Sequence, residues 1–455
     1  MSQHAATATR PRTDRRPLIL LSLCLAVLVV QVDTSVANLA LSRIGTAFHA
    51  PITALQWVLD AYSLAYAALL LSGGLCADLF GRRRVFQAGG AIIILSSLAC
   101  ALAPTIATLI AARAIMGVGA ALLLPASLAI LRTVWHDPAE RRHALGIWAS
   151  CNGLAFVIGP TLGGMLIDRF GWQSVFLVAV PLAIAAWVVA QAVVPESAHP
   201  HDRSLDPAGQ FFGAAALGGL VYATIAVREG GITWLIALLI AAIATPLFLR
   251  TERRLAATAL VPLDMFRDKP FRGAVAATAS MTFGIYGMIF LTPLVWQSSG
   301  LLTPRTAGLA LLPCALVFFL VSQRSSRIAQ SRGLRFSTAG GTAIIGMGLL
   351  VLSLTRAAQP LWLASIGLAL TGIGMGINSG PLMSVAVDAV GPQRSGTASS
   401  LINLARIVGA TLGIATLGTL FALLDGAAGW GWQAAMAAGG LVQLTGAVIA
   451  FRSVR

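Results

Sequence analysis

Long apolar runs separated by short polar breaks make up nearly the whole chain. Fourteen runs are long enough for the roughly 20 residues that carry a helix across a bilayer. They lie near 17–41, 52–77, 85–104, 105–131, 144–167, 173–194, 208–227, 232–249, 273–297, 305–323, 336–355, 361–387, 396–422 and 432–451. The pattern predicts an all-α membrane protein with 14 transmembrane helices. The first run is too long for a signal-peptide core and has no small-residue cleavage site, so it reads as an uncleaved span. The longest polar stretches are the N-terminal tail and the loops near 195–207 and 250–272. None can hold a water-soluble domain, so function is expected from the helices themselves and most enzyme classes are excluded.

Composition agrees. Apolar residues make up 57% and charged residues 10% of 455 positions, where a soluble domain has about 25% charged. The net charge of +15 would suggest nucleic acid on a soluble protein. Here 24 of the 31 basic residues fall in the tails and alternate loops that share one side with the N-terminus. That asymmetry reads as an orientation signal, with both termini cytoplasmic in a bacterial cell membrane, and it supports an even number of spans. Nucleic acid is therefore not an expected partner. The five cysteines (Cys24, Cys76, Cys100, Cys151, Cys314) sit in apolar runs without metal or disulfide spacing. No cofactor or metal is expected.

The chain repeats itself. Gly146 and Gly159-Pro160-Thr161-Leu162-Gly163 recur 250 residues later as Gly396 and Gly409-Ala410-Thr411-Leu412-Gly413, and Gly171-Trp172-Gln173 recurs at Gly431-Trp432-Gln433. Eight spans separate the copies, so direction is preserved, as in parallel repeats related by an axis along the membrane normal. The expected organisation is a tail (1–16), a six-helix bundle (17–194), a linker with two extra helices (195–272), a second six-helix bundle (273–451) and a tail (452–455). Spans seven and eight carry no deep charge and are expected to be peripheral.

Three segments add chemistry. After the second span the chain reads Gly74-Leu75-Cys76-Ala77-Asp78-Leu79-Phe80-Gly81-Arg82-Arg83-Arg84. Gly74 allows close helix approach, Gly81 a tight turn, and Asp78 a bond to an arginine or a helix N-terminus. A counterpart, Ser326 to Arg335 with Gly333, keeps the arginines but has Gln330 in place of the acid. In Gly153 to Gly164, small residues four apart favour close packing and Pro160 bends the helix. Asp33-Thr34-Ser35-Val36-Ala37-Asn38-Leu39-Ala40-Leu41, Gln56-Trp57-Val58-Leu59-Asp60-Ala61-Tyr62, and Arg113 with Gly117, Gly119 and Pro125 complete the set.

The loop resembles the signature of the major facilitator superfamily, Gly-x3-Asp-x2-Gly-Arg-basic-basic, with Leu79 where a basic residue is usual. The resemblance implies the major facilitator fold, two six-helix bundles plus two inserted helices, with Gly74, Asp78, Gly81, Arg82 and Arg84 as a conformational latch. Gly159, Pro160, Gly163 and Gly164 are similar to the fifth-span motif of exporters in that superfamily, with Ala155 at a position often glycine. Nearly the whole chain resembles the 14-span drug:proton antiporter branch (EmrB/QacA type), although Ser42 follows Leu41 where that branch has proline.

Four ionisable residues lie deep in the runs: Asp33, Asp60, Arg113 and Arg406. Each costs at least about 2.5–3.5 kcal/mol near the bilayer centre, so each is a candidate functional residue. Asp33, Asp60 and Arg113 lie eight residues from the ends of their runs on the same side, about 12 Å deep at 1.5 Å per residue. One guanidinium balances one carboxylate, and the unbalanced second acid is best carried with a proton. Exchange of that proton for a cationic substrate is antiport. All six histidines lie in tails or loops, so a buried histidine relay is not available. Asn38, Trp57, Tyr62, Phe283, Tyr286, Phe290, Asn378 and Arg406 are candidate substrate contacts, the aromatic faces suiting lipophilic cations.

The expected function is a proton-coupled secondary active exporter of hydrophobic or cationic small molecules working by alternating access, with protons, substrate and bilayer as partners and a monomeric chain. A proton-coupled metabolite transporter, for an amino acid or sugar derivative, is the alternative. A non-transporting membrane sensor comes third.

Overall fold

A computed structural model describes residues 15–198, 206–255, 261–356, 360–390 and 394–454. Most of the N-terminal tail, with Arg10 and Arg12, and the loop histidines His199 and His201 lie outside the described residues. Every apolar run forms a helix long enough to span. Spans 1 to 6 are Arg16–Phe48, Ile52–Phe80, Arg82–Ala101, Ile106–Val134, His143–Phe170 and Ser174–Val193. Spans 7 and 8 are Pro207–Ala226 and Thr233–Leu255. Spans 9 to 14 are Lys269–Ser298, Pro304–Ser322, Leu334–Ser353, Leu361–Asp388, Thr397–Leu424 and Gly431–Ser453. The protein is an all-α, multi-pass membrane protein.

The largest boundary difference is in span 1, which continues past the apolar run to Phe48. Helical backbone bonds are satisfied within the segment, so polar side chains beyond the bilayer do not end the helix. It stops at His49, whose left-handed backbone (φ 49°) closes back on the Gly45 carbonyl, before Pro51. Span 8 likewise extends to Leu255 and buries Glu252, which accepts a bond from the Val261 N–H at 2.8 Å. Gly81 (φ 103°) joins spans 2 and 3, and Gly333 (φ 83°) makes the same turn before span 11. The equivalent turn thus survives 252 residues later.

Packing repeats in the same way. Span 4 lies so close to span 2 that a β-carbon at Gly117 would run into the Tyr62 carbonyl; span 12 repeats this on span 10 with Gly372 and the Cys314 carbonyl. Span 5 packs on span 1 through Gly159 and Gly163, against Ser35 and Val36. Span 13 packs on span 9 through Gly409 and Gly413, against the Ala279 and Phe283 carbonyls. With no hydrophobic drive between helices in lipid, such close approach is what holds each six-helix bundle.

The bundles meet along spans 2 and 13, spans 5 and 10, and spans 1 and 9. Spans 7 and 8 pack on each other and are the least buried of the fourteen, as expected for peripheral elements. Span 7 nevertheless touches both span 2 and span 13, with Val221 and Ile225 against Ala415 and Trp57, and so covers one seam between the bundles.

Candidate functional site

Spans 1, 2 and 4 converge on a buried ion pair. The Arg113 NH1 nitrogen donates to Asp33 Oδ2 at 2.6 Å, with 1% and 4% of the side chains exposed. Arg113 Nε donates to the Val58 carbonyl of span 2 at 2.9 Å, and the Tyr62 ring lies 4.5 Å from the guanidinium carbon. Three helices thus hold one cation. A pair this deep is stable only when paired and hydrogen-bonded on both sides, and breaking it leaves a buried charge.

Asp60 is different. It is fully buried, and neither carboxyl oxygen has a hydrogen-bond partner. The three charges expected at one depth therefore divide into a closed pair and a lone acid. One turn before Asp60, on the same face of span 2, the Gln56 amide donates to the Ile414 and Ala415 carbonyls of span 13 at 3.1 and 2.9 Å. Asp60 thus faces the seam between the bundles.

The expected substrate contacts do not share one environment. Tyr62 packs on the Arg113 guanidinium within the first bundle, and Arg406 of span 13 has a buried Nε without a hydrogen-bond partner. Phe283 and Tyr286 are half-buried three residues apart on span 9. Trp57 instead stacks on Tyr222 of span 7, with ring centroids 5.8 Å apart. Asn38 donates to the Thr34 carbonyl of its own helix at 2.8 Å. Phe290 is fully buried against Gly418, and Asn378 binds span 11 through Thr342. These last four are packing or tethering positions in this conformation.

In the signature loop, Arg82 bonds Asp78 (2.9 Å) and Thr133 of span 4, an interaction within the first bundle. Gly81 turns beside Glu196, whose carboxylate accepts from the Arg83 and Arg84 N–H groups at 3.0 and 3.2 Å. The helix N-terminus thus takes Glu196, not Asp78. Arg84 is largely exposed, 3.9 Å from Glu196. Gly74 lies against Pro125. The Gly159–Gly164 segment joins both bundles: Gly159 and Gly163 seat span 1, while Pro160 and Gly164 press on Gly308 and Pro304 of span 10. Near its end, Asp168 accepts from the Arg305 N–H at 3.2 Å, and Gln297 donates to the Leu39 carbonyl at 3.0 Å.

Three residues escaped the sequence reading. Tyr66 could have been found one turn after Tyr62, the same spacing that stacks their rings 6.1 Å apart. Gln56 stood in a quoted segment as a lone amide in an apolar run. Glu196 carried no local signal, since the Arg83 N–H it accepts from lies 113 residues earlier.

The family model described as Major Facilitator Superfamily matches residues 23–414. The multidrug resistance protein Stp of Mycobacterium tuberculosis is 34% identical over 89% of this chain and 76% of its own. The multidrug efflux pump LfrA of Mycolicibacterium smegmatis is 32% identical over 91% and 83%. The methylenomycin A resistance protein of Streptomyces coelicolor is 32% identical over 99% and 96%. A crystal structure of a POT family transporter in complex with 5-aminolevulinic acid matches with a TM-score of 0.68 over 95% of each chain at 16% identity. That last likeness speaks for the fold alone.

Proposed function

The chain belongs to the Major Facilitator Superfamily, and from that premise we propose that it is a proton-coupled exporter of hydrophobic or cationic drug-like molecules. Residues 17–194 and 273–451 are the two halves that rock against each other, the basic loop face is cytoplasmic, and the chain works as a monomer in the cell membrane. The observation that carries the reading is the pairing of Asp33 with Arg113 beside an unpartnered Asp60. A lone buried carboxyl is held as the neutral acid and is a ready proton carrier. The relatives described as efflux pumps supply the direction of transport.

In this mechanism Asp60 takes a proton when its side of the seam opens outward and releases it inward as substrate enters. Asp33 and Arg113 hold spans 1, 2 and 4 in register and set the local charge. Gln56, Gln297 and Asp168 bind the bundles together on the face opposite the basic loops, and these bonds break when that face opens. Gly74, Asp78, Gly81, Arg82 and Arg84 order the basic face.

The test is proton release from everted membrane vesicles, held acid inside, when lipophilic cations are added. The intact protein should release protons, and Asp60→Asn should not at equal expression. Release undiminished in Asp60→Asn would sink the proton-carrier assignment.

A further inference from the structure

The mechanism gives spans 7 and 8 no task, and span 8 has two unlike faces. Ala237, Ala241 and Ala244 are buried, and Gly219 of span 7 meets the Ala237 carbonyl and Ala241 at close range. Leu239, Ile243 and Leu247 are exposed on the other side, the first two by more than half. Steps of four, three and four residues carry that outer stripe from Ile243 through Leu247 and Arg250 to Arg254, with Arg253 beside it. All three arginines are exposed.

Their height follows from the helix rise. Arg250 stands about 26 Å and Arg254 about 32 Å from Thr233, at 1.5 Å per residue, across an apolar layer about 30 Å thick. The arginines therefore straddle the level of the lipid phosphates on the face of the basic loops. Span 7 adds an aromatic at this end: Gly213 lies against Phe248, and Phe211, two residues earlier, is 69% exposed.

Among the described residues, these three arginine side chains make no hydrogen bond or ion pair. Other arginines of the same face are held: Arg16 by Glu140, Arg82 by Asp78, Arg83 by Glu196, Arg335 by the Phe451 carbonyl and Arg394 by Asp264. The acids at this end of the hairpin are buried and turned inward, Asp206 accepting from the Gly209 N–H and Glu252 from the Val261 N–H, both at 2.8 Å. The lipid-facing stripe thus ends in unbalanced positive charge. A guanidinium fork matches phosphate oxygens in geometry as well as charge.

We propose that Arg250, Arg253 and Arg254, with Leu239, Ile243 and Leu247, form a binding site for an anionic phospholipid in the leaflet on the basic face. The phosphate sits on the guanidinium groups and an acyl chain lies along the stripe. The inserted hairpin is then the lipid-reading element of the protein, and span 7 carries that contact to the seam it covers between spans 2 and 13. The site rests on the position of span 8 in the bilayer and not on what is transported.

The test is native mass spectrometry of the detergent-purified full chain, titrated with phosphatidylglycerol or phosphatidylcholine. The intact protein should hold phosphatidylglycerol about tenfold or more tightly than phosphatidylcholine, since each arginine near an anionic headgroup is worth about fivefold. The double variant Arg250→Gln/Arg254→Gln should lose about tenfold or more toward phosphatidylglycerol and nothing toward phosphatidylcholine. Arg250→Lys/Arg254→Lys, which keeps the charge and loses the fork, should fall between. Arg327→Gln/Arg332→Gln removes as much charge from an exposed short helix of the same face and should lose less than about twofold. Thermal melting in phosphatidylcholine nanodiscs checks folding: the intact protein and Arg250→Gln/Arg254→Gln should melt together there, and added phosphatidylglycerol should raise only the former. Should the glutamine pair fail to fold, Arg254→Gln alone is read in the same way, at about fivefold. Equal loss in the two glutamine pairs would show a general attraction to the basic face and overturn the site. Equal retention of the two lipids by the intact protein, or undiminished phosphatidylglycerol binding without Arg250 and Arg254, would overturn it too.

Discussion

The two bundles are built on one packing plan and carry different chemistry. Gly117 and Gly372 press spans 4 and 12 on spans 2 and 10, and Gly159 and Gly409 press spans 5 and 13 on spans 1 and 9. At the same separations, 255 residues for spans 4 and 12 and 252 for spans 2 and 10, the counterpart of Arg113 is Leu368 and that of Asp60 is Leu312. Among the described residues, the buried acids of the two bundles, Asp33 and Asp60, both lie in the first, and the second has Arg406 with a buried, unpartnered Nε. Small residues that let backbones touch are a requirement of the fold and appear in both copies. Buried charges burden the fold, so they persist where the function uses them. In the mechanism proposed above, ion coupling belongs to the first bundle.

That contrast can be broken most forcefully at the ion pair. Asp33→Asn leaves Arg113 uncompensated and should cost about 3–5 kcal/mol, seen as a large fall in thermal stability together with lost proton release. Asp60→Asn removes a carboxyl that has no partner, so stability should stay near that of the intact protein while coupling is lost. A melting curve beside the vesicle assay separates the two, and equal melting of both variants would contradict the division into pair and lone acid.

The shared packing plan predicts a smaller, unequal effect. A β-carbon at Gly413 meets the Phe283 backbone, whereas one at Gly163 meets the Val36 side chain. Backbone cannot step aside, so Gly413→Ala should cost about 3 kcal/mol and Gly163→Ala about 1 kcal/mol. Unfolding of the detergent-purified variants reads the order, and a reversed order would show that the two seams are not equivalent.

Across the seam, Gln56→Leu removes an amide that donates to two carbonyls of span 13. The loss of about 1–2 kcal/mol favours opening on the face opposite the basic loops. Cysteines placed on span 13 near that face should label roughly tenfold more readily; unchanged labelling would remove Gln56 from the gate.

The smallest effect lies at the surface of the second bundle. Arg394 bonds Asp264 and holds that carboxyl below the usual carboxylate range. Because the folded value is the lower one, the contribution is present above the ordinary carboxylate value and disappears as pH falls through the lowered value. Both groups are half exposed, so Arg394→Gln should cost only a few tenths of a kcal/mol near neutral pH. The difference from the intact protein should vanish in acid, measured as melting temperature against pH.

Helix count, the repeat and the identity of the deep charges were all legible in the residues. A bilayer requires about 20 apolar residues per crossing, and a charge in such a run stands out however the helix is turned. Depth along the helix was legible too, because rise per residue is constant, and it correctly brought Asp33 and Arg113 to one level. Which carboxylate Arg113 would choose was not, since Asp33 and Asp60 shared that level and differed only in rotation about their helices. Trp57 and Asn378 carried the same ambiguity: type and depth suited a cavity, but rotation turned one toward span 7 and tied the other to span 11.

The sequence by itself thus determined the fourteen crossings, the doubled architecture and the short roster of residues able to carry charge. Those features are written in local runs and constant separations. Tertiary structure alone decided that Asp33 and not Asp60 closes on Arg113, that Glu196 caps span 3 across a long separation, and that the Arg406 Nε is buried without a partner. Each depends on the rotation and neighbours of a helix, which arise only when distant small residues let helices lock together at fixed angles.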